Sequence, residues 1–364
     1  MTGLYVHIPW CIRKCPYCDF NSHEKRSDFD EAAYVDRLVE DLGTELSSGQ
    51  FDIGTVYFGG GTPSLFGPDS FAKILDRFEQ DSLEEVTMEA NPGTTEYSNL
   101  NLYREAGITR LSIGVQSFDS GHLETLGRIH GPNEAQHAIE KAMAAGFDSV
   151  NLDLMYGLPH QSINQALKDL DVAINYQPQH ISWYELTIEP NTVFAKTPPP
   201  LSTIDYRADM EDAGVELLSE HGYRRYEVSA YARSGQECRH NLNYWTFGDY
   251  IGVGAGAHGK KTTQDGIFRT TKIRQPGSYL SGTAGSFKRV PDEDLPAEFM
   301  MNALRLLNGV EERAFSMNTG LEIDVIRETV EQLRSWKLMH PTRLQLSSQG
   351  LRQLNGVVAQ FLNS

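Results

Sequence analysis

The chain has 364 residues, 40% of them hydrophobic and 22% charged, with 32 Lys and Arg against 49 Asp and Glu, a net charge of −17 and a pI near 5.1. That length accommodates one large domain and a smaller one, and the acidic balance argues against phosphate-rich partners such as DNA or RNA. Four cysteines, three of them clustered, fit a reducing compartment and not a disulfide framework. No stretch approaches the roughly 18 apolar residues of a membrane span, and no leader-type segment precedes the first strand, so a cytoplasmic protein is expected.

Leu4 to Ile8 reads as a short strand stopped by Pro9. A C-x3-C-x2-C run follows, Cys11, Cys15 and Cys18, on what the spacing makes a tight loop at the strand's carboxyl end. Three thiolates satisfy three irons of a [4Fe–4S] cubane, where a purely electron-transferring centre has four, and the open iron suits a bound reactant. The rival is a structural zinc site, for which Cys238 or His23 would be the fourth ligand, though neither belongs to a second paired motif.

Phe29 to Ser48 has helical spacing of Val35, Leu38, Val39, Leu42 and Leu46. A strand from Gly54 to Phe58 then runs into Gly59-Gly60-Gly61-Thr62, a loop whose bare backbone allows close ligand approach but lacks the lysine of a phosphate-binding loop. Further strands are expected to end near Glu89, Gln116, Asp153, Glu185 and Glu227, with helices at 133–145, 163–175 and 203–221 between them. This alternation predicts a parallel sheet with helical crossovers, its carboxyl ends forming the face where sites are built. Past Val290 the character changes to helices at 296–307, 323–336 and 349–362, with a short β-wing over 337–346. The expected division is therefore 1–285 and a small, mainly helical, winged-helix-like domain at 286–364. Residues 290–364 carry seven Lys and Arg against ten Asp and Glu, a net of −3, which argues against DNA docking by that domain.

The cysteine run resembles that of the radical S-adenosylmethionine (SAM) superfamily. The wider stretch from Tyr5 to Phe20, YVHIPWCIRKCPYCDF, is similar to the coproporphyrinogen-dehydrogenase group. Phe20 stands where those dehydrogenases carry another cysteine, and the chain is in this respect more similar to HemW-type heme chaperones. The resemblance implies a partial parallel (β/α)6 barrel, open on one side, with Cys11, Cys15 and Cys18 holding a [4Fe–4S] cluster. It implies SAM contacts from the GGGT loop (Gly60, Gly61, Thr62) and from Glu89, Gln116, Arg128 and Asp153, with Tyr5 and Tyr17 close by, Tyr17 through its backbone.

His240-Asn241-Leu242-Asn243-Tyr244-Trp245 carries H-N-x-x-Y-W. A neutral imidazole can ligate heme iron, and the aromatic pair can cover a porphyrin face, though the same residues can brace a loop and fill core. The motif resembles the heme-associated motif of HemW-type chaperones, which implies His240 as the heme ligand. Cys238, two positions upstream, is an alternative soft ligand but fits better as a small buried residue, and His258 in GAGAHG is a weaker ligand candidate that fits better as a backbone contact near SAM. The resemblance further implies transfer of heme to acceptor hemoproteins such as respiratory enzymes, and a homodimer. The competing readings are an oxygen-independent coproporphyrinogen III dehydrogenase, disfavoured by Phe20 and the short lead before Tyr5, and a radical SAM enzyme acting on RNA, disfavoured by charge.

Overall fold

Leu4, Val6 and Ile8 alternate with Tyr5 and His7 along the first strand, and this two-residue period recurs in most strands that follow. The computed structural model describes residues 1–25, 29–49, 51–93 and 100–362. The strands are β1 (Thr2–Ile8), β2 (Trp10–Cys11), β3 (His23–Glu24), β4 (Ile53–Gly60), β5 (Glu85–Ala90), β6 (Arg110–Gln116) and β7 (Ser149–Tyr156). After them come β8 (His180–Glu185), β9 (Arg224–Glu227), β10 (Ala230–Ala232), β11 (Tyr250–Val253), β12 (His258–Thr263), β13 (Gly266–Thr271) and β14 (Ser286–Arg289).

Twelve of these form one sheet in the order β14-β13-β12-β11-β1-β4-β5-β6-β7-β8-β10-β9, and its two ends do not pair. From β1 through β4 to β8 every pairing is parallel. The helices Glu31–Ser47, Pro68–Leu75, Leu100–Glu105, Pro132–Ala145 and Ile163–Asn175 lie between successive strands. These six strands are the open (β/α)6 barrel expected. β11 adds a seventh parallel neighbour on the far side of β1, pairing Gly3 with Tyr250 across most of the chain.

Helix boundaries follow local chemistry. Asp30 accepts from Ala33 N at the start of Glu31–Ser47, Ser162 and Gln165 form a reciprocal capping box, and Gly146 closes Pro132–Ala145 in the left-handed conformation. The outward positions of the strands, among them Val56, Phe58, Leu111, Ile113, Leu152 and Trp183, pack with Tyr34, Leu38, Ile139 and Leu170 of the helices into one apolar core.

Glu227 departs from expectation. It ends β9, which is an antiparallel edge strand, so its carboxylate faces Arg305 Nη2 at 3.1 Å and not the barrel's carboxyl-terminal face. The final helices, Leu295–Ala303, Glu312–Thr319 and Asp324–Ser335, build a second core around Phe299, Phe315, Ile326 and Leu333, which also takes in Phe247 and Ile267. Antiparallel bridges Val310–Leu344 and Met339–Leu346 form the wing. The single helix expected over 349–362 is two short ones, Ser348–Leu351 and Leu354–Ala359.

Candidate functional site

Cys11, Cys15 and Cys18 line one cavity of about 320 Å³ inside the curl of the sheet, together with Gly60, Gly61, Thr62, Glu89, Gln116, Arg128 and Asp153. The sequence-expected residues of the SAM set thus converge, apart from Tyr5. All three thiols are free and half-buried, and burial raises Cys11 and Cys18. Among the described residues no group of three His, Cys, Asp or Glu side chains stands in metal-binding array. The donor set nevertheless fits a cubane with one open corner. Three soft ligands line one cavity, and of the two fourth ligands the zinc reading offered, Cys238 is ruled out: it is fully buried with Sγ 3.3 Å from Glu85 Oε1, at the other end of β5, whereas His23 stands on the strand paired with that of Cys11.

Backbone geometry brings the Gly-rich loop to the cysteines. Gly61 N donates to Ile8 O at 2.7 Å and Thr62 N to Trp10 O at 2.7 Å. Gly60 has φ +113°, and a Cβ there would lie 2.4 Å from the His7 ring. Arg128 links the loops: Nη2 donates to Asn91 Oδ1 at 2.5 Å and Gly114 O at 2.6 Å, while Nη1 lies 3.7 Å from Cys15 Sγ. Gln116 holds φ +72° at a slip in register between β6 and β7, and its Oε1 accepts from the Tyr184 hydroxyl at 2.7 Å. Such backbone strain in a non-glycine residue concentrates at functional sites. Asp153 accepts from Ser112 Oγ at 3.0 Å and Asn151 Nδ2 at 2.8 Å.

Tyr5 faces a different space. Its hydroxyl is 2.9 Å from His7 Nδ1, and both line a second chamber of about 350 Å³ that shares Phe20, Gly60 and Glu89 with the first. Tyr17 packs against Phe194 and lines the cysteine cavity.

The H-N-x-x-Y-W residues form the helix Arg239–Trp245, seated at the amino-terminal ends of the strands. Glu85, the first residue of β5, accepts from Arg239 N at 3.0 Å and His240 N at 3.1 Å and so anchors the helix start. His240 is 1% exposed; its Nδ1 lies 2.9 Å from Thr55 Oγ1, its ring stacks on Tyr57, and its Nε2 has no partner. Burial, aided by the Arg110 charge, pushes its pKa down to about 3, so the imidazole is neutral. Asn241 reaches the cysteine cavity, Tyr244 the second chamber, and Trp245 the C-terminal core.

Residues 5–173 match the model of the radical SAM superfamily. The heme chaperone HemW of Escherichia coli (strain K12) is 49% identical over 337 residues, covering 91% of this chain and 89% of that protein. HemW of Haemophilus influenzae is 44% identical over 374 residues, covering 99% and 97%. This chain belongs to the HemW family. In fold it is similar to the solved coproporphyrinogen III oxidase (HemN) from Escherichia coli, with a TM-score of 0.82, 20% identity, and 99% and 89% of the two chains covered.

For a HemW-family chain, the residues that sequence reading missed are those of the barrel lumen: Tyr57, Asn91, Arg110, Ser112, Asn151, Ser182 and Tyr184. Their signal was present as alternation. RLSIGVQ and HISWYE place polar side chains at every second position of buried parallel strands, where a continuous apolar run is the usual pattern.

Glu89 is the most perturbed acid in this lumen. It accepts from the Tyr57 hydroxyl at 2.8 Å and Gly60 N at 3.1 Å. Burial pushes its carboxyl up to about 7 against the pull of the Tyr57 bond, and the Asp153 carboxylate adds to the rise. Unfolded, it would ionise near ~4.3. Between those values the folded state holds the extra proton, so this group's contribution to stability falls as pH rises. Glu89→Gln is therefore expected to stabilise the cofactor-free protein by about 1 kcal/mol more at pH 8 than at pH 6. Thermal melts of both proteins at the two pH values test this, and an equal difference at both would refute it.

Proposed function

We propose that this chain is a heme chaperone that binds heme and passes it to acceptor hemoproteins, respiratory enzymes among them, while holding a [4Fe–4S] cluster and SAM in the cysteine cavity. The observation that carries this reading is the 49% identity to a named heme chaperone over 91% of the chain. In it Cys11, Cys15 and Cys18 would hold the cluster, which when bound would supply an electron to the site. Gly60, Gly61 and Thr62 offer backbone and hydroxyl groups to the amino acid end of SAM, and Glu89 and Asp153 suit its ribose hydroxyls. Gln116 offers an amide, Arg128 suits a carboxylate, and Tyr5 and Tyr17 complete the walls.

His240 enters this reading as a heme ligand only with helix Arg239–Trp245 withdrawn from its seat, because its unpartnered Nε2 is enclosed in the fold. The boundary between the barrel unit and the C-terminal unit, expected at 285/286, is placed in this reading after Arg289, because β14 still pairs with β13 and Val290 already belongs to the second core. No helix of the described residues is long and apolar enough to cross a membrane.

Hemin titrated into the purified protein is expected to saturate near one per chain, with no conversion of coproporphyrinogen III in an anaerobic assay with SAM. Steady conversion at ordinary enzyme rates would overturn the chaperone reading in favour of the dehydrogenase.

A further inference from the structure

The amino-terminal ends of the parallel strands border a third cavity, of about 210 Å³, at the opposite end of the barrel from the cysteine loop. Glu85, Arg110 and Ser149 open β5, β6 and β7 there, and residues 235–237, just ahead of helix Arg239–Trp245, line it as well. None of the residues assigned above to the cluster or to SAM lines it. No aliphatic or aromatic residue does so either, which excludes a porphyrin or any other large apolar ligand.

Two buried donors in its wall lack partners. Arg110 is 3% exposed, its Nε is unpartnered, and its guanidinium makes no hydrogen bond or ion pair among the described residues. A guanidinium cannot shed its charge, and a buried charge left unpaired is costly. The Glu85 carboxylate is committed elsewhere, accepting from Arg239 N, His240 N and the Cys238 thiol. Ser149 is paired with Arg110 across β6 and β7, is 8% exposed, and its Oγ is also unpartnered. Guanidinium and hydroxyl side by side suit a carboxylate.

The rest of the lining has the opposite sign. Glu84 pairs with Arg239, and Glu237 lies 3.7 Å from Arg224, but Asp148 is exposed and has no cationic partner among the described residues. These carboxylates would repel a plain anion. A ligand with a carboxylate at one end and an ammonium at the other meets a complementary charge at each. Gln236, whose side-chain amide makes no hydrogen bond among the described residues, adds a donor and an acceptor for a polar side chain.

We propose that this cavity binds a small polar amino acid as its zwitterion, the carboxylate on Arg110 and Ser149 Oγ and the ammonium at Asp148. Arg110 also lines the cysteine cavity and is the one described residue common to both, so an occupant here fixes the side chain at which the two spaces meet.

Calorimetric titration of the full chain with serine, acetate and ethanolamine tests this. Serine carries both charges and is expected to bind at least about tenfold more tightly than acetate or ethanolamine, which carry one each. Asp148→Asn, at an exposed position, is expected to weaken serine about tenfold and leave acetate unchanged, whereas Arg110→Gln weakens both. Ser149→Ala removes only the unpartnered hydroxyl and is expected to weaken serine severalfold; it decides the matter should Arg110→Gln fail to fold. Acetate binding as tightly as serine would overturn the zwitterion assignment. Serine binding unchanged in Asp148→Asn and Ser149→Ala, or absent from the wild-type chain at about 10 mM, would overturn the site. The titration involves neither heme nor cluster, so the chaperone reading stands or falls separately.

Discussion

Cys15→Ser, reconstituted anaerobically with iron and sulfide, is expected to retain about a tenth or less of the wild-type iron, and Cys11→Ser and Cys18→Ser the same. The three thiols are the soft donors of one cavity wall, and a serine hydroxyl does not ionise to replace a thiolate. The fourth cysteine is too far away to compensate. Cys238 sits beside Glu85 at the opposite end of β5, a strand that spans roughly 17 Å from Glu85 to Ala90 at about 3.3 Å per residue. Cys238→Ser is therefore expected to keep its full iron content, and the contrast between the two kinds of variant is the measurement. Equal loss in Cys238→Ser would refute the three-ligand assignment.

Gly61→Ala is expected to lower the melting temperature by about 5 °C or more and to cut cluster loading in parallel. A Cβ on Gly61 would lie 2.4 Å from Trp10 O and 2.8 Å from Trp10 N and C. All three atoms are backbone, one residue before Cys11, so relief requires moving the cysteine loop itself. Doing so also breaks the Thr62 N to Trp10 O bond that joins the two loops. Gly43→Ala supplies the opposite sign. A Cβ there has nothing within 4 Å, and the position lies within helix Glu31–Ser47, so the same chemical change is expected to stabilise by about 0.5–1 kcal/mol. Melting curves and iron assays on the two variants separate steric conflict from a general glycine effect. A Gly61→Ala protein as stable and as fully loaded as wild type would mean that the loops are not held at this distance.

Much of the fold was legible because it is written locally. The helix expected at 163–175 is Ile163–Asn175, its start held by the Ser162–Gln165 capping box, and the strands expected to end near Glu89, Gln116 and Glu185 stop within a residue of those positions. The C-x3-C-x2-C run and the GGGT loop were readable for the same reason. Their chemistry depends on residues a few positions apart.

His240 shows where local reading stops. Its motif has the composition of a heme ligand, but depth is set by Thr55, Tyr57 and Glu85, some 155 to 185 positions earlier in the chain. Glu227 likewise ends a strand-like stretch, yet pairing with β10 turns that strand antiparallel and aims the carboxylate at Arg305.

By itself the sequence determined the cluster loop, the strand–helix alternation and the order in which polar residues close the strands, since hydrophobic period and ligand spacing act over one turn or one strand. Only the tertiary structure decided which ends of those strands meet, which polar residues share the lumen and how deeply His240 is buried. Those outcomes depend on parallel pairings such as Gly3 with Tyr250, whose partners are far apart along the chain and carry no mutual signal in either segment alone.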